Sequence, residues 1–269
     1  PDDQRRAIGM RRISLINELQ RGHESLARLQ RQEARFFNSC MMATALGAAV
    51  SDGLEDGRVV SGVGGQYNFV DMSHTLDAAR SVLMFRAVRE DAGAAESNVR
   101  WNYGHTTIPR HLRDLYVNEY GIADLRGKND EDCIIAMGGI TDTRFQTALV
   151  RQAQQAGKLR AAFHPPSHWI DNTPVHLSAR LRAFRRDGTL PDYPLGSDFT
   201  EVEQRIVKAL GWLKANTATP WKKIGTVLRA LGAQPGDAEA MARMDLAAPG
   251  NLGERIEAKL LALGLRETR

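Results

Sequence analysis

Leu15, Leu19, Leu26 and Leu29 recur at helical spacing with charged residues between them, and predict a mostly helical segment over 5–35 that Gly22 and His23 interrupt. From Phe36 to Ala161 the pattern shifts to short apolar runs punctuated by glycine and turn residues. The run 38–46 ends at Gly47, and Ser51-Asp52-Gly53 and Glu55-Asp56-Gly57 read as turns. Val59-Val60 leads into Ser61-Gly62-Val63-Gly64-Gly65. The unbroken apolar character of 81–88 predicts a strand covered on both faces, and 114–118 predicts another that ends near Gly121. Segments 130–138 and 143–157 carry helical spacing; in the second, Phe145, Leu149 and Ala153 share a face and Gly157 is the stop. Strands that alternate with helices point to an α/β layer structure. Phe36, Phe37 and Phe69 are expected in its core.

Downstream, Pro165, Pro166, Pro174, Pro191 and Pro194 make 162–199 a wrapping segment, with a short helix over 175–186. From Thr200 the chain reads as helical. Thr200-Glu201-Val202-Glu203 has the form of a capping box, followed by a stripe of Val202, Ile206, Ala209, Leu210 and Leu213. Pro220 suits a helix first turn, that helix runs to Leu231 with Gly232 after it, and a last helix is expected over 252–263. The expected organisation is a helical lead-in over 1–35, an α/β domain over 36–161, the wrapping segment over 162–199 and a small all-helical appendage over 200–269.

Composition narrows the classes. A chain of 269 residues, 42% apolar and 25% charged, can bury a core without staples, which argues against disorder. Cys40 and Cys133 lie far apart with no CxxC partner, so neither a disulfide framework nor a cysteine metal site is expected. Reduced thiols of this kind suit a cytoplasmic protein. No apolar run is long enough to span a bilayer, and no signal-peptide pattern stands at the start. The formal charge of +4 is too small to nominate nucleic acid. Over 151–189, however, seven Lys/Arg face two Asp, a local +5 that is either a solvated face or a contact for a phosphate-bearing ligand or partner.

Several positions can carry chemistry. A strand followed by Gly62, Gly64 and Gly65 lets backbone approach a ligand closely, with amides free to bond a carbonyl or phosphate; a tight turn reads equally well. Glu119, at the end of a buried strand, stands where open α/β sheets bind ligands. The other reading pairs it with Arg126 or Arg113. His105 and His111, with Arg110 and Arg113, offer phosphate ligands or simply satisfied polar groups. His164 and His168 are separated by Pro165-Pro166, which opposes a helical metal pair.

Four segments in order carry a resemblance: S-G-V-G-G-Q-Y-N-F-V at 61–70, A-R-S-V-L-M-F-R at 79–86, S-N-V at 97–99 and Y-V-N-E-Y-G-I-A-D-L-R-G-K at 116–128. Together these resemble the C-terminal domain of the acetyl-CoA hydrolase/transferase family, the family I CoA-transferases. The resemblance implies an open CoA-transferase-like, Rossmann-like sheet with helices on both faces. It implies coenzyme A, as an acyl-CoA substrate, with no metal. A glutamate attacks the thioester, a glutamyl-CoA thioester follows, and transfer to a carboxylic acid or hydrolysis completes the cycle. It places Gly64 and Gly65 at the oxyanion through their backbone N–H groups, and Gly62, Val63, Gln66, Asn17 and Glu119 toward CoA. The family's nucleophilic glutamate lies upstream of the part matched here. Pro1 stands where Met would begin a gene product, so a missing N-terminal half that bears the nucleophile is the expected partner. The alternative is a catalytically inactive CoA-binding or protein-interaction module. No membrane and no nucleic acid is expected, and a homo-oligomer stays open.

Overall fold

Three mostly apolar runs are buried on both faces and form strands: 42–44, 49–50 and 81–83. The computed structural model describes residues 6, 8–20, 22, 24–91, 93–234 and 237–268. They fall into two compact units, 1–89 with 95–182, and 90–94 with 183–269.

In the first unit, β1 (Arg35–Ser39), β4 (Arg80–Met84), β8 (Leu115–Asn118) and β9 (Gly121–Asp124) form one sheet in that order. The first three run parallel, and β9 returns antiparallel on β8. The connection from β1 to β4 passes through α3 (Gln66–Thr75), which packs on both strands. A second sheet has the order β3-β2-β7, from β2 (Met42–Thr44), β3 (Ala49–Val50) and β7 (Val99–Arg100). A two-stranded sheet joins β5 (Val88–Asp91) and β6 (Ala94–Ser97). The expected strand over 81–88 therefore stops at Met84, and Val88 starts a different one.

Tyr116 is fully buried at the centre, and its hydroxyl donates to the Gly47 carbonyl at 3.1 Å. Gly47 has φ +85°, and a Cβ there would stand 2.8 Å from Leu125. Both facts require glycine. Phe36 stacks on Phe69 with ring centroids 5.8 Å apart, and both are half-buried against the cluster of Leu19, Met72, Leu76 and Ala79 rather than inside the core. Phe37 is further out: strand alternation turns it outward on the edge strand β1, where it is 62% exposed.

Helices α1 (Ile13–Asn17) and α2 (Glu24–Gln30) replace the longer predicted lead-in helix. Gly22, at φ +78°, separates them; His23 lies outside the described residues. Of the predicted leucine stripe only Leu19 is buried, beside Met72 and Leu76; Leu15, Leu26 and Leu29 face solvent.

Helices α4 (Asp130–Gly139), α5 (Thr143–Gln155) and α6 (Pro174–Arg186) fall where the sequence put them. Asp142 caps α5, is fully buried, and accepts from the Arg144 backbone and guanidinium and from the Tyr120 hydroxyl at 2.8–3.0 Å. Burial alone would raise its carboxyl, yet the Arg144 and Tyr120 hydrogen bonds outweigh it and hold it below the usual carboxylate range. Hydrogen bonds from the Arg126 guanidinium hold the Asp124 carboxyl down at about 2. A carboxyl depressed in the folded state stabilises the fold above its unfolded value, roughly 4, and loses that contribution as pH falls through the folded value. We therefore expect the urea midpoint of this unit to fall as pH drops below roughly 4. In Asp142→Asn, already weakened at neutral pH, it should fall less. Parallel acid limbs in the two proteins would contradict this.

In the second unit, α7 (Glu201–Asn216), α8 (Pro220–Leu231), α9 (Ala238–Arg243) and α10 (Leu252–Glu267) close a small core of Ile206, Ala209, Ala230, Met241, Leu261 and Leu263. The capping box at Thr200 and Glu203 forms in full. Leu210, placed in the α7 stripe by spacing, stays 43% exposed. The last helix runs to Glu267 rather than 263, and α9 has too few turns to show a period.

Candidate functional site

Parallel strands bring their carboxyl ends to a common edge, the place where loops can line a crevice. Here β1, β4 and β8 deliver Ser39-Cys40, Phe85-Arg86-Ala87 and Glu119. The ladder continues past the strands, through Cys40 N–H to Met84 carbonyl at 2.9 Å and Phe85 N–H to Val117 carbonyl at 3.1 Å. Asn98, from the S-N-V segment, fixes the middle loop: its side-chain amide donates to Arg86 and its backbone N–H to Ala87, both at 2.8 Å.

The glycine loop enters α3 at this edge. Gly64 has φ +54°, and a Cβ at Gly62 or Gly64 would meet nothing within 4 Å. The loop is therefore open, not packed against strands. Gly65 is the N-cap of α3 and brings no side-chain acceptor, whereas Asn129, Asp142, Thr200, Thr219, Asp237 and Asn251 cap α4, α5, α7, α8, α9 and α10 with side-chain hydrogen bonds. The first amides of α3 are thus left without a side-chain cap at the positive end of a helix.

Gln66 follows, 8% exposed, and donates to the Ser39 carbonyl at 3.0 Å. This bond joins the glycine loop to the end of β1. A Cβ at Gly65 would lie 3.2 Å from Asn17 Nδ2, so Asn17, at the end of α1, sits against the loop. Gln66 Oε1, Asn17 Oδ1 and Asn38 Nδ2 are buried with no hydrogen-bond partner, an arrangement that ordinary folding avoids. Asn38 was not singled out in the sequence; its alternation with Phe36 on β1 was the available signal. Val63 is 63% exposed in the same loop.

Glu119 stands at the same edge two strands away. Its two carboxylate oxygens accept from Ala87 N–H at 3.1 and 3.0 Å, and its side chain is not drawn into the glycine-loop cluster. Neither Arg126 nor Arg113 pairs with it: Arg126 bonds Asp124, and Arg113 donates to the carbonyls of Leu46 and Lys128. The loop that carries Glu119 is fixed by Asn118, which donates to Ile140 carbonyl at 2.7 Å and accepts from Tyr120 N–H at 2.9 Å.

His105 does not join a phosphate cluster. It bonds Asp52 at 3.1 Å, and Thr107 bonds the same carboxylate oxygen. The Thr107 and His105 hydrogen bonds hold the Asp52 carboxyl below its ordinary range. The Asp52 carbonyl accepts from Val60 N–H at 2.8 Å and Ser61 N–H at 3.3 Å, which anchors the start of the glycine loop. Arg110 pairs with Asp130. Of the basic 151–189 segment, Lys158 and Arg160 are consumed by Asp130 and Glu131 on α4. Burial of its sulfur pushes the half-buried Cys40 thiol up to about 12. Among the described residues no three His, Cys, Asp or Glu side chains gather to hold a metal ion, and no helix is long and apolar enough to cross a membrane.

The family model for the acetyl-CoA hydrolase/transferase C-terminal domain matches residues 2–153. No curated protein matches the chain. Among solved structures it is similar to RipA from Yersinia pestis, with 21% identity, TM-score 0.43, 47% of this chain covered and 28% of that one. It is also similar to a 4-hydroxybutyrate CoA-transferase from Porphyromonas gingivalis, with 22% identity, TM-score 0.37, and 46% and 27% covered. The chain thus spans less than a third of the length of these proteins.

Proposed function

Because the chain belongs to the acetyl-CoA hydrolase/transferase C-terminal domain family, we propose that it supplies the CoA-thioester side of an acyl-CoA hydrolase or CoA-transferase. One observation carries this reading: the uncapped start of α3, reached through an open glycine loop, lies beside the buried and unpaired polar atoms of Gln66 and Asn17, with Asn38 on the adjoining strand. Amides at a helix start favour developing negative charge, and unpaired buried polar atoms lower in energy when a ligand pairs with them.

In this reading a glutamate from a preceding α/β half attacks the thioester carbonyl. The carbonyl π electrons move onto oxygen, where backbone N–H groups of the Gly64–Gln66 turn stabilise the oxyanion. CoA leaves as the thiolate, which gives a mixed anhydride of the glutamate and the acyl group. The thiolate then attacks the glutamyl carbonyl, breaks the anhydride C–O bond, releases the acyl group as its carboxylate and leaves the glutamyl-CoA thioester. A carboxylic acid or water completes the cycle. Gly62 and Val63 border the CoA path. Glu119, exposed and orientated by Ala87 N–H, is assigned to substrate and CoA binding rather than to nucleophilic attack.

Isothermal titration of this chain with acetyl-CoA and with CoA should give saturable heat. No heat at ligand concentrations of about 1 mM would end the CoA reading, since binding weaker than that supplies under about 4 kcal/mol. Saturable binding with no turnover, even when the candidate nucleophile-bearing half is supplied, would favour the inactive CoA-binding module instead.

A further inference from the structure

Helix α8 has two apolar faces, and the chain uses one. Thr226 (4% exposed) and Ala230 (1%) point into the second unit's core, and the Thr226 hydroxyl donates to the Asn216 carbonyl at 2.7 Å. On the opposite side Trp221 is 85% exposed, Ile224 54%, Leu228 64% and Leu231 53%. At about 100° per residue these four fall within roughly 80° of arc, diametrically opposite Thr226.

We propose that this outer stripe is a two-fold self-association surface, on which a second copy of the chain lays its own α8 antiparallel. Spacing argues for a like partner. The four residues stand five and two positions before Thr226 and two and five after it. The stripe is therefore symmetric about its midpoint. An antiparallel two-fold pairs Trp221 with Leu231 of the other copy and Ile224 with Leu228, so the same patch is its own complement.

Charge agrees. α8 contains no acidic residue, so a like pairing must keep its cations out of the seam. Lys222, Lys223 and Arg229 all lie roughly 120–140° from the stripe's centre. Arg229 is moreover spent within its own copy, on Glu267 at 3.1 Å and over the Trp212 ring. Gly225 adds a third observation. A glycine inside a helix weakens it relative to alanine, yet a Cβ there would meet nothing within 4 Å, so packing within the chain does not demand it. Beside the stripe it permits close approach of a second helix. Area suffices as well: Trp221 alone offers on the order of 200 Å². With the smaller Ile224, Leu228 and Leu231, the stripes of two copies bury roughly 1,000 Å², about the least that a specific interface needs.

Sedimentation equilibrium of the full chain up to about 100 µM tests this, a range that reads dissociation constants up to roughly that concentration. A monomer–dimer equilibrium is expected, and Trp221→Glu, checked for unchanged circular dichroism, should weaken it by at least about 30-fold, as loss of a large aromatic anchor does. Leu228→Gln is the second variant should the first not fold. Register is read by mild oxidation: Ile224→Cys mixed with Leu228→Cys should give more disulfide dimer than either alone. A monomer throughout, a dimer indifferent to both variants, or cross-linking no greater in the mixture would overturn the proposal. So would a monomer that co-sediments with phosphatidylcholine–phosphatidylglycerol vesicles through Trp221, which would make the stripe a lipid contact. None of these outcomes depends on CoA binding.

Discussion

Trp169→Ala should cost the first unit about 3–5 kcal/mol of stability, the largest loss we expect from one side-chain truncation in this chain. Trp169 is 3% exposed in a short turn of 3-10 helix over Ser167–Asp171, and its ring tilts against Phe163 at 5.8 Å. It fills space that two glycines of α4 vacate: a Cβ at Gly138 would stand 2.4 Å from the indole, and one at Gly139 3.3 Å. The substitution removes the ring alone, because the Trp169 carbonyl still accepts from Thr143 and Gln146 at 2.9 and 3.0 Å. A double-mutant cycle sharpens the test. Gly138→Ala alone should destabilise, since overpacking outweighs alanine's better helix propensity. In the Trp169→Ala background the clash is gone, so the same change should stabilise by up to about 1 kcal/mol. Urea unfolding followed by far-ultraviolet circular dichroism checks all four proteins. Additive effects would show that Trp169 and the glycines do not share this space.

That contact also shows where sequence reasoning stops. The prolines at 165, 166 and 174 argue against regular layers over this stretch, and local chemistry suffices for that. What Trp169 packs against was not legible, since nothing near it names glycines some thirty residues upstream as its partners. The same division holds elsewhere. The capping box at Thr200 and the helix opened by Pro220 were read correctly because their determinants are neighbours in sequence. Phe37 was misplaced because its exposure depends on β1 being an edge strand, which is a fact of strand order. At the candidate site, glycines 62, 64 and 65 were visible as a loop that invites close approach. Asn38 was not, since only the fold sets it beside the start of α3. Glu119 was legible as a strand-end carboxylate, but its hydrogen bond from Ala87 N–H depends on the β4–β8 pairing.

Gly64→Val should reduce acyl-CoA turnover by roughly 10²–10³-fold, the usual consequence of losing one oxyanion donor. The expectation rests on the proposed CoA reading, and turnover is to be followed with the nucleophile-bearing half present. The effect does not arise from a clash within the chain, because nothing lies within 4 Å of the position a Cβ would take. It arises from backbone conformation. At φ +54° a β-branched residue is strained, by about 1–2 kcal/mol, and the loop relieves that strain by leaving the left-handed region. The amides of the Gly64–Gln66 turn then rotate away from a shared target, and the new side chain occupies the approach left open for a thioester. Gly57 separates this from simple loop strain. It also has positive φ, +83°, and also has open space around it, but it lies on the far side of the Asp52 anchor from the glycine loop. Gly57→Val should therefore lower stability about as much as Gly64→Val and leave turnover within about two-fold, as surface changes away from reacting groups do. Equal losses of turnover in both variants would trace the effect to strain shared across the loop, and unchanged turnover in Gly64→Val would remove the α3 start from the chemistry altogether.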